Sequence, residues 1–203
     1  MTDPQTRWKK LFEGKDGSLL EEAFDLIVGR YAESHRFYHT MSHVLSCLRQ
    51  LDDLPDFKNK HLVEIALWFH DVVYEPLKTN NEEESALFAQ KTMLRLDIDD
   101  ESITRIMALI ILTKHPSQPK TLDEQYLIDV DLSILGSKPA LYAQYETWIR
   151  KEYRYVPSFL YKKGRRKVLK SFLDQPTIYS SAVFRERYER IARTNLESAI
   201  LAL

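Results

Sequence analysis

The chain has 203 residues, 44% apolar and 29% charged, a balance that fills a sizeable core in one large domain. Its 29 basic and 30 acidic side chains nearly cancel, so no basic field points to nucleic acid and no acidic tail appears. A single cysteine, Cys47, excludes an intramolecular disulfide and a cysteine-rich zinc site, and neither GxxxxGK[ST] nor GxGxxG occurs among only 5 glycines.

The polar start around Asp3 and Gln5 carries no apolar signal core, and no apolar run is long enough for a bilayer. With the lone cysteine, this predicts a cytoplasmic protein without a membrane partner.

A weak helical spacing covers Trp8 to Phe12. Ser18, with Glu21 three residues on, reads as the cap of a helix running to Tyr31. Arg36 to Leu54 follows, capped by Thr40 or Ser42, with Val44, Leu45, Leu48 and Leu51 on one face. The central helix spans about Lys60 to Val73 and stops before Pro76. Asn81 caps the next one, with Glu82 to Glu84 in its first turn. Asp99 or Asp100 opens another, carrying Ile103, Ile106, Met107 and Ile110 and ending near His115-Pro116.

Tyr126 to Gly136 alternates apolar and acidic residues like a strand, but no partner strand is evident, and a helix ended by Gly136 is preferred. Ala140 to Tyr155, Lys162 to Leu173 and Phe184 to Leu203 complete the chain, separated by prolines. The expected fold is all-α: a single-domain helical bundle over residues 1–203, with a core of about 36–136 and C-terminal helices 138–203 packed on it.

His70-Asp71 lies within the apolar run of the central helix, where unpaired ionisable groups are costly. A core histidine bonded to a nearby carboxylate explains the dipeptide alone. His39 and His43 are four residues apart and share a helical face if both are helical. Asp129 and Asp131 add two carboxylates. The order is what matters: a histidine, then His-Asp, then an aspartate, each on a different helix. Two imidazoles and two carboxylates suit a divalent ion of Mn, Fe, Co, Ni, Zn or Mg, with positions left for water.

This pattern resembles the HD superfamily of metal-dependent phosphohydrolases, from about Tyr38 to Gly136. Asn81-Glu82-x-x-Ser85-Ala86, Ile149-Arg150-x-Glu152-Tyr153, Gly164-Arg165 and Ala192-Arg193-x-Asn195-Leu196 resemble one subgroup of small bacterial HD proteins and extend the likeness over nearly the whole chain. The resemblance implies His43, His70, Asp71 and Asp131 as metal ligands. Val130-Asp131-Leu132 resembles the family's Ala-Asp-x-Leu segment, which leaves Asp129 as a neighbour or substitute ligand. Tyr38-His39-x-x-x-His43 resembles the Tyr-His-Asn-x-x-His motif of cyclic-nucleotide phosphodiesterases, with Thr40 where the motif has Asn; there the first histidine protonates the leaving oxygen.

The implied reaction is hydrolysis of a small phosphorylated metabolite, a nucleotide being the leading candidate, through a metal-activated water. Asp129 or Glu82 would take the water's proton and His39 would supply one to the leaving group, with Asp71 beside the ion. Lys114, Arg150, Arg165 and Arg193 are candidate phosphate contacts, and Arg166 a further one. His115 either extends the metal site or caps a helix end. A homo-oligomer is compatible with the sequence. Two other readings stand beside the enzyme: a catalytically silent HD-type nucleotide-binding or regulatory module, and a structural helical protein whose His-Asp pair is a buried couple.

Overall fold

A computed structural model describes residues 3–114 and 118–203, which form ten α-helices and no strand. His115 lies outside the described residues. α1 (Pro4–Leu11) is capped by Asp3, which accepts from Thr6 N. α2 (Gly17–Tyr31) is capped by Asp16 rather than Ser18: its Oδ1 accepts from Ser18 N and Leu19 N. Glu21 pairs with Lys9 instead of closing a capping box. α3 (Met41–Asp52) starts after Thr40, one of the two expected caps, though the Thr40 side chain makes no capping hydrogen bond, and residues 37–40 form bends.

α4 (Lys60–Phe69) is the centre of the bundle and packs against α3, α5, α6 and α7. Leu62, Val63 and Ile65 through Phe69 are all buried, so this helix is apolar nearly all round. Trp8 packs edge-on against Trp68, ring centroids 5.6 Å apart, and its indole N–H donates to Leu20 O. α5 (Asn81–Arg95) is preceded by Asn80 at its cap. The Asn81 side chain instead accepts from Glu75 N and donates to Glu75 O, closing the loop after α4. α6 (Asp100–Leu112) starts at an Asp99 cap.

α7 (Leu122–Asp131) opens on a capping box between Thr121 and Glu124 and runs into a 3-10 turn, Leu132–Gly136. Tyr126 through Val130 are buried without a break, which is why the helix shows no helical periodicity in sequence.

α8 (Pro139–Glu152), α9 (Ser158–Leu173) and α10 (Ala182–Ala202) complete the fold. α9 starts earlier than the expected Lys162, directly after Pro157. α10 lies along the 3-10 turn, where Asn195 Nδ2 donates to Leu135 O at 2.8 Å and Ser137 O at 2.9 Å. The approach is close: a Cβ on Gly136 would fall 2.5 Å from the Tyr188 Cβ. None of the described helices is long and apolar enough to cross a membrane.

Candidate metal centre

Three helix ends meet at one point. His43 is in the first turn of α3, His70 and Asp71 directly follow the last residue of α4, and Asp131 is the last residue of α7. The His-Asp pair therefore sits at the end of the central helix and not inside it, as the unbroken apolar run suggested. The Arg36 guanidinium donates to Asp71 O at 2.6 Å, Val72 O at 3.0 Å and His39 O at 3.1 Å. It is 5% exposed and lies over the Tyr31 and Tyr74 rings. Ser85 Oγ accepts from Val73 N and donates to Val73 O on the other side. These bonds satisfy the backbone where the chain leaves the helix and fix its exit angle.

His70 Nδ1 donates to Leu67 O at 2.9 Å, which turns Nε2 toward the cluster. His70 Nε2 lies 3.0 Å from His43 Nε2, 3.1 Å from Asp71 Oδ2 and 3.5 Å from Asp131 Oδ1. His43 Nε2 lies 3.1 Å from Asp131 Oδ1 and 3.6 Å from Asp71 Oδ2.

Two lone pairs, or two N–H groups, cannot face each other at 3.0 Å; a proton or a cation between the imidazoles resolves the conflict. Ligands at right angles on metal bonds of about 2.0–2.2 Å stand about 3 Å apart. The shortest edges, 3.0, 3.1 and 3.1 Å, match that spacing, so these side chains could hold a metal ion. α4 and α7 also end here, and helix C-termini carry partial negative charge that favours a cation.

Burial opposes a charged His70, yet Asp71 and Asp131 outweigh it and raise its pKa well above the ordinary value. Burial likewise opposes ionisation of Asp131, and His43 and His70 hold it well below the usual carboxylate range. Asp71 is also lowered, against its burial, by His70, His39 and His43. Cys47 Sγ lies 3.7 Å from His43 Nδ1, but burial and the neighbouring carboxylates push its thiol well up, so it packs as a neutral group.

His39 does not join the cluster. Its Nδ1 lies 2.8 Å from Glu152 Oε2, and its ring stacks on Tyr74 at 4.0 Å. Glu152, at the end of α8, is 3% exposed. Its Oε1 accepts from three consecutive backbone amides, Phe37 N at 2.8 Å, Tyr38 N at 2.7 Å and His39 N at 3.0 Å. Its Oε2 also accepts from Tyr74 OH at 2.9 Å. Such a run of amides makes an anion nest. Burial opposes this charge, but His39 and the amides hold the carboxyl down at about 2. Burial also works against a charged His39, while Asp71 and Glu152 raise it. With Nδ1 committed, Nε2 is the His39 atom available to the cleft beside it. Neither Glu152 nor Arg36 was singled out for this neighbourhood from sequence.

Asp129 is fully buried and turned away. Its Oδ1 accepts from Ser180 N and its Oδ2 from Ser181 N, both at 2.7 Å, just ahead of α10. With both oxygens occupied there, it is not placed as a catalytic base or a substitute ligand, and Asp131 is the α7 carboxylate that meets the histidines. Glu82, the other expected base, lines the same cleft as His39, Asp71 and Asp131.

The expected phosphate cations are engaged elsewhere. Lys114 donates to Thr79 O and Glu83. Arg150 donates to Tyr153 O and Val156 O beyond the end of α8. Arg165 makes a two-point contact with Glu146 at 2.6 and 3.0 Å. Arg193 holds Glu189 and the carbonyls of Leu173, Gln175 and Pro176. All four are structural contacts in this arrangement, and none lines the cleft beside Asp71 and Asp131.

That cleft has a volume of about 190 Å³ and runs between Asp71 and Asp131 and an apolar wall from Leu132, Ile134 and Phe172. Comparisons of the chain with protein-family models, curated proteins and solved structures find no match.

Proposed function

We propose that the chain is a divalent-metal-dependent phosphohydrolase of the HD type, cleaving the phosphoester of a small phosphorylated metabolite. The observation that carries this reading is the convergence of His43 Nε2, His70 Nε2, Asp71 Oδ2 and Asp131 Oδ1 within 3.0–3.6 Å along the measured edges. The order of those ligands along the chain supports it further. A divalent ion bound by them supplies Lewis acidity for water activation and phosphoryl polarisation.

The chain's own residues supply the proton chemistry. Glu82, on the cleft wall, takes the proton of the attacking water. His39, held by Glu152 through Nδ1, presents Nε2–H to the departing ester oxygen. The water oxygen bonds to phosphorus as the phosphorus–ester oxygen bond breaks. The products are an alcohol and inorganic phosphate. Glu152 is a positioning residue: it fixes the imidazole and stabilises its charged form. Tyr74 holds the second face of the pair through its ring and its hydroxyl.

The test is a phosphoester screen of protein loaded in turn with Mn, Co, Ni, Zn and Mg, beside the variants His70→Ala and His39→Ala. Turnover that needs a metal, disappears in His70→Ala and falls about a hundredfold or more in His39→Ala is expected. Metal-loaded protein that binds phosphate compounds without turning any over favours the silent regulatory module. Activity indifferent to both substitutions overturns the reading.

A further inference from the structure

We infer that the cleft selects a monophosphate ester whose phosphoryl is its only anionic group and whose organic part is small and apolar or aromatic. This rests on the phosphohydrolase reading and adds the substrate class.

Charge is the first ground. The ionisable side chains lining the cleft are His39, Asp71, Glu82 and Asp131. Among the described residues, no lysine or arginine lines it. The nearest candidate in sequence, Lys114, follows Thr113 of the cleft wall, but its ammonium is held by Glu83 and Thr79 O. Arg165 does not line the cleft; it lies over the Tyr145 ring at 5.3 Å with its charge matched by Glu146. One divalent ion cancels the carboxylates of Asp71 and Asp131. Glu82 and the phosphoryl group then leave the cleft negative. The one cationic side chain on the wall, His39, is already matched by Glu152 at 2.8 Å, so a second anionic group on the ligand would meet like charge without a free protein cation, in a site partly shielded from water.

Size and surface are the second ground. The cleft volume of about 190 Å³ lies below the few hundred cubic ångströms of typical small-molecule sites. Tyr38, Tyr74, Tyr145, Phe172, Leu132 and Ile134 form an aromatic and aliphatic part of its wall, beside a polar part from Asn81, Thr113 and the acidic groups. That aromatic and aliphatic part gains from burying a ring or short alkyl group. Nucleoside triphosphates and dinucleotides fail on both counts, so a nucleotide substrate is confined to a monophosphate.

The test compares three non-hydrolysable probes on Mn-loaded protein by calorimetry in about 0.15 M salt. The probes are methylphosphonate, phenylphosphonate and 4-carboxyphenylphosphonate, the last two differing by one carboxylate. Phenylphosphonate is expected to bind about tenfold tighter than methylphosphonate and about tenfold tighter than the carboxylated probe. Turnover should follow, with kcat/KM for phenyl phosphate at least tenfold above that for ATP. Equal binding of the two aromatic probes, or a preference for the triphosphate, overturns the inference and leaves the hydrolase standing. Failure of metal-loaded protein to bind any phosphonate and to hydrolyse any ester overturns the hydrolase reading itself, and the inference with it.

Discussion

Glu152 Oε2 and His39 Nδ1 meet at 2.8 Å although 113 residues separate them. The pair ties the end of α8 to the bend before α3, and so ties the C-terminal helices to the half that carries His43, His70 and Asp71. Because three backbone amides share the same carboxylate, the histidine and its own main chain are held by one group.

Replacing Glu152 by Gln keeps the shape and removes the charge. The loss lowers the pKa that Glu152 helps to raise on His39. On the proposed mechanism His39 donates from its protonated form, so the alkaline limb of the kcat profile should move to lower pH, with kcat down about a hundredfold. Metal content should stay unchanged. A variant that loses metal but keeps its pH profile would assign Glu152 to the ion instead.

The same pair sets an acid dependence of folding. The Glu152 carboxyl is held at about 2 against an ordinary 4.5, so its contribution is present above pH 4.5 and is lost as pH falls toward 2. His39 has the opposite sign: raised, it contributes fully below about pH 6.5 and loses that contribution as pH rises through its folded value. Urea melts at pH 6 and pH 3 should show wild type losing more stability on acidification than Glu152→Gln. Equal losses would remove the pair from the acid response.

The two α7 aspartates should separate cleanly. Asp131→Ala should abolish metal binding. Asp129→Ala should keep the metal but leave Ser180 N and Ser181 N without their acceptor, at a cost of about 1–3 kcal/mol. For a chain of this length that is a fall of roughly 2–12 °C in melting temperature. Loss of metal in Asp129→Ala with normal stability would reverse the assignment.

Gly136→Ala should destabilise the protein by about 1–3 kcal/mol, because the added methyl meets Tyr188 and must push α10 away from the 3-10 turn. A melt unchanged from wild type would mean that the turn and α10 are not packed so closely.

The parts legible in sequence are those with a local signature. The order of His43, His70, Asp71 and Asp131 is visible in sequence, and the structure brings their side chains together, but their place at helix ends is not visible there. The choice between Asp129 and Asp131 could not be made from alternation alone. On a helix, residues two apart point about 200° from each other, so one aspartate faces the histidines and the other faces the start of α10. α7 was expected as a helix and is one, although Tyr126 through Val130 are buried on every side and mask its helical period. The extent of α4 was overread for a related reason: its exit is set by Arg36, a long-range contact no local pattern reveals. Glu152 was invisible as a partner of His39 because its amide nest forms only once α8 docks. Lys114, Arg150, Arg165 and Arg193 are held by other groups in the fold, and a count of cations says nothing of which carbonyls and carboxylates already hold each one.

The most direct measurement is a titration of metal-free protein with Co²⁺, read by its visible absorption and by calorimetry at pH 8 and pH 6, for wild type and for His70→Ala. Wild type should take up the ion with a d–d spectrum of mixed nitrogen and oxygen ligation. Binding should weaken by about tenfold per pH unit for each proton displaced once the pH is below the raised pKa of His70. His70→Ala should bind at least a hundredfold more weakly while remaining folded. A wild-type protein that takes up no ion, or a folded His70→Ala that binds it as tightly and with the same spectrum, would contradict the shared metal site.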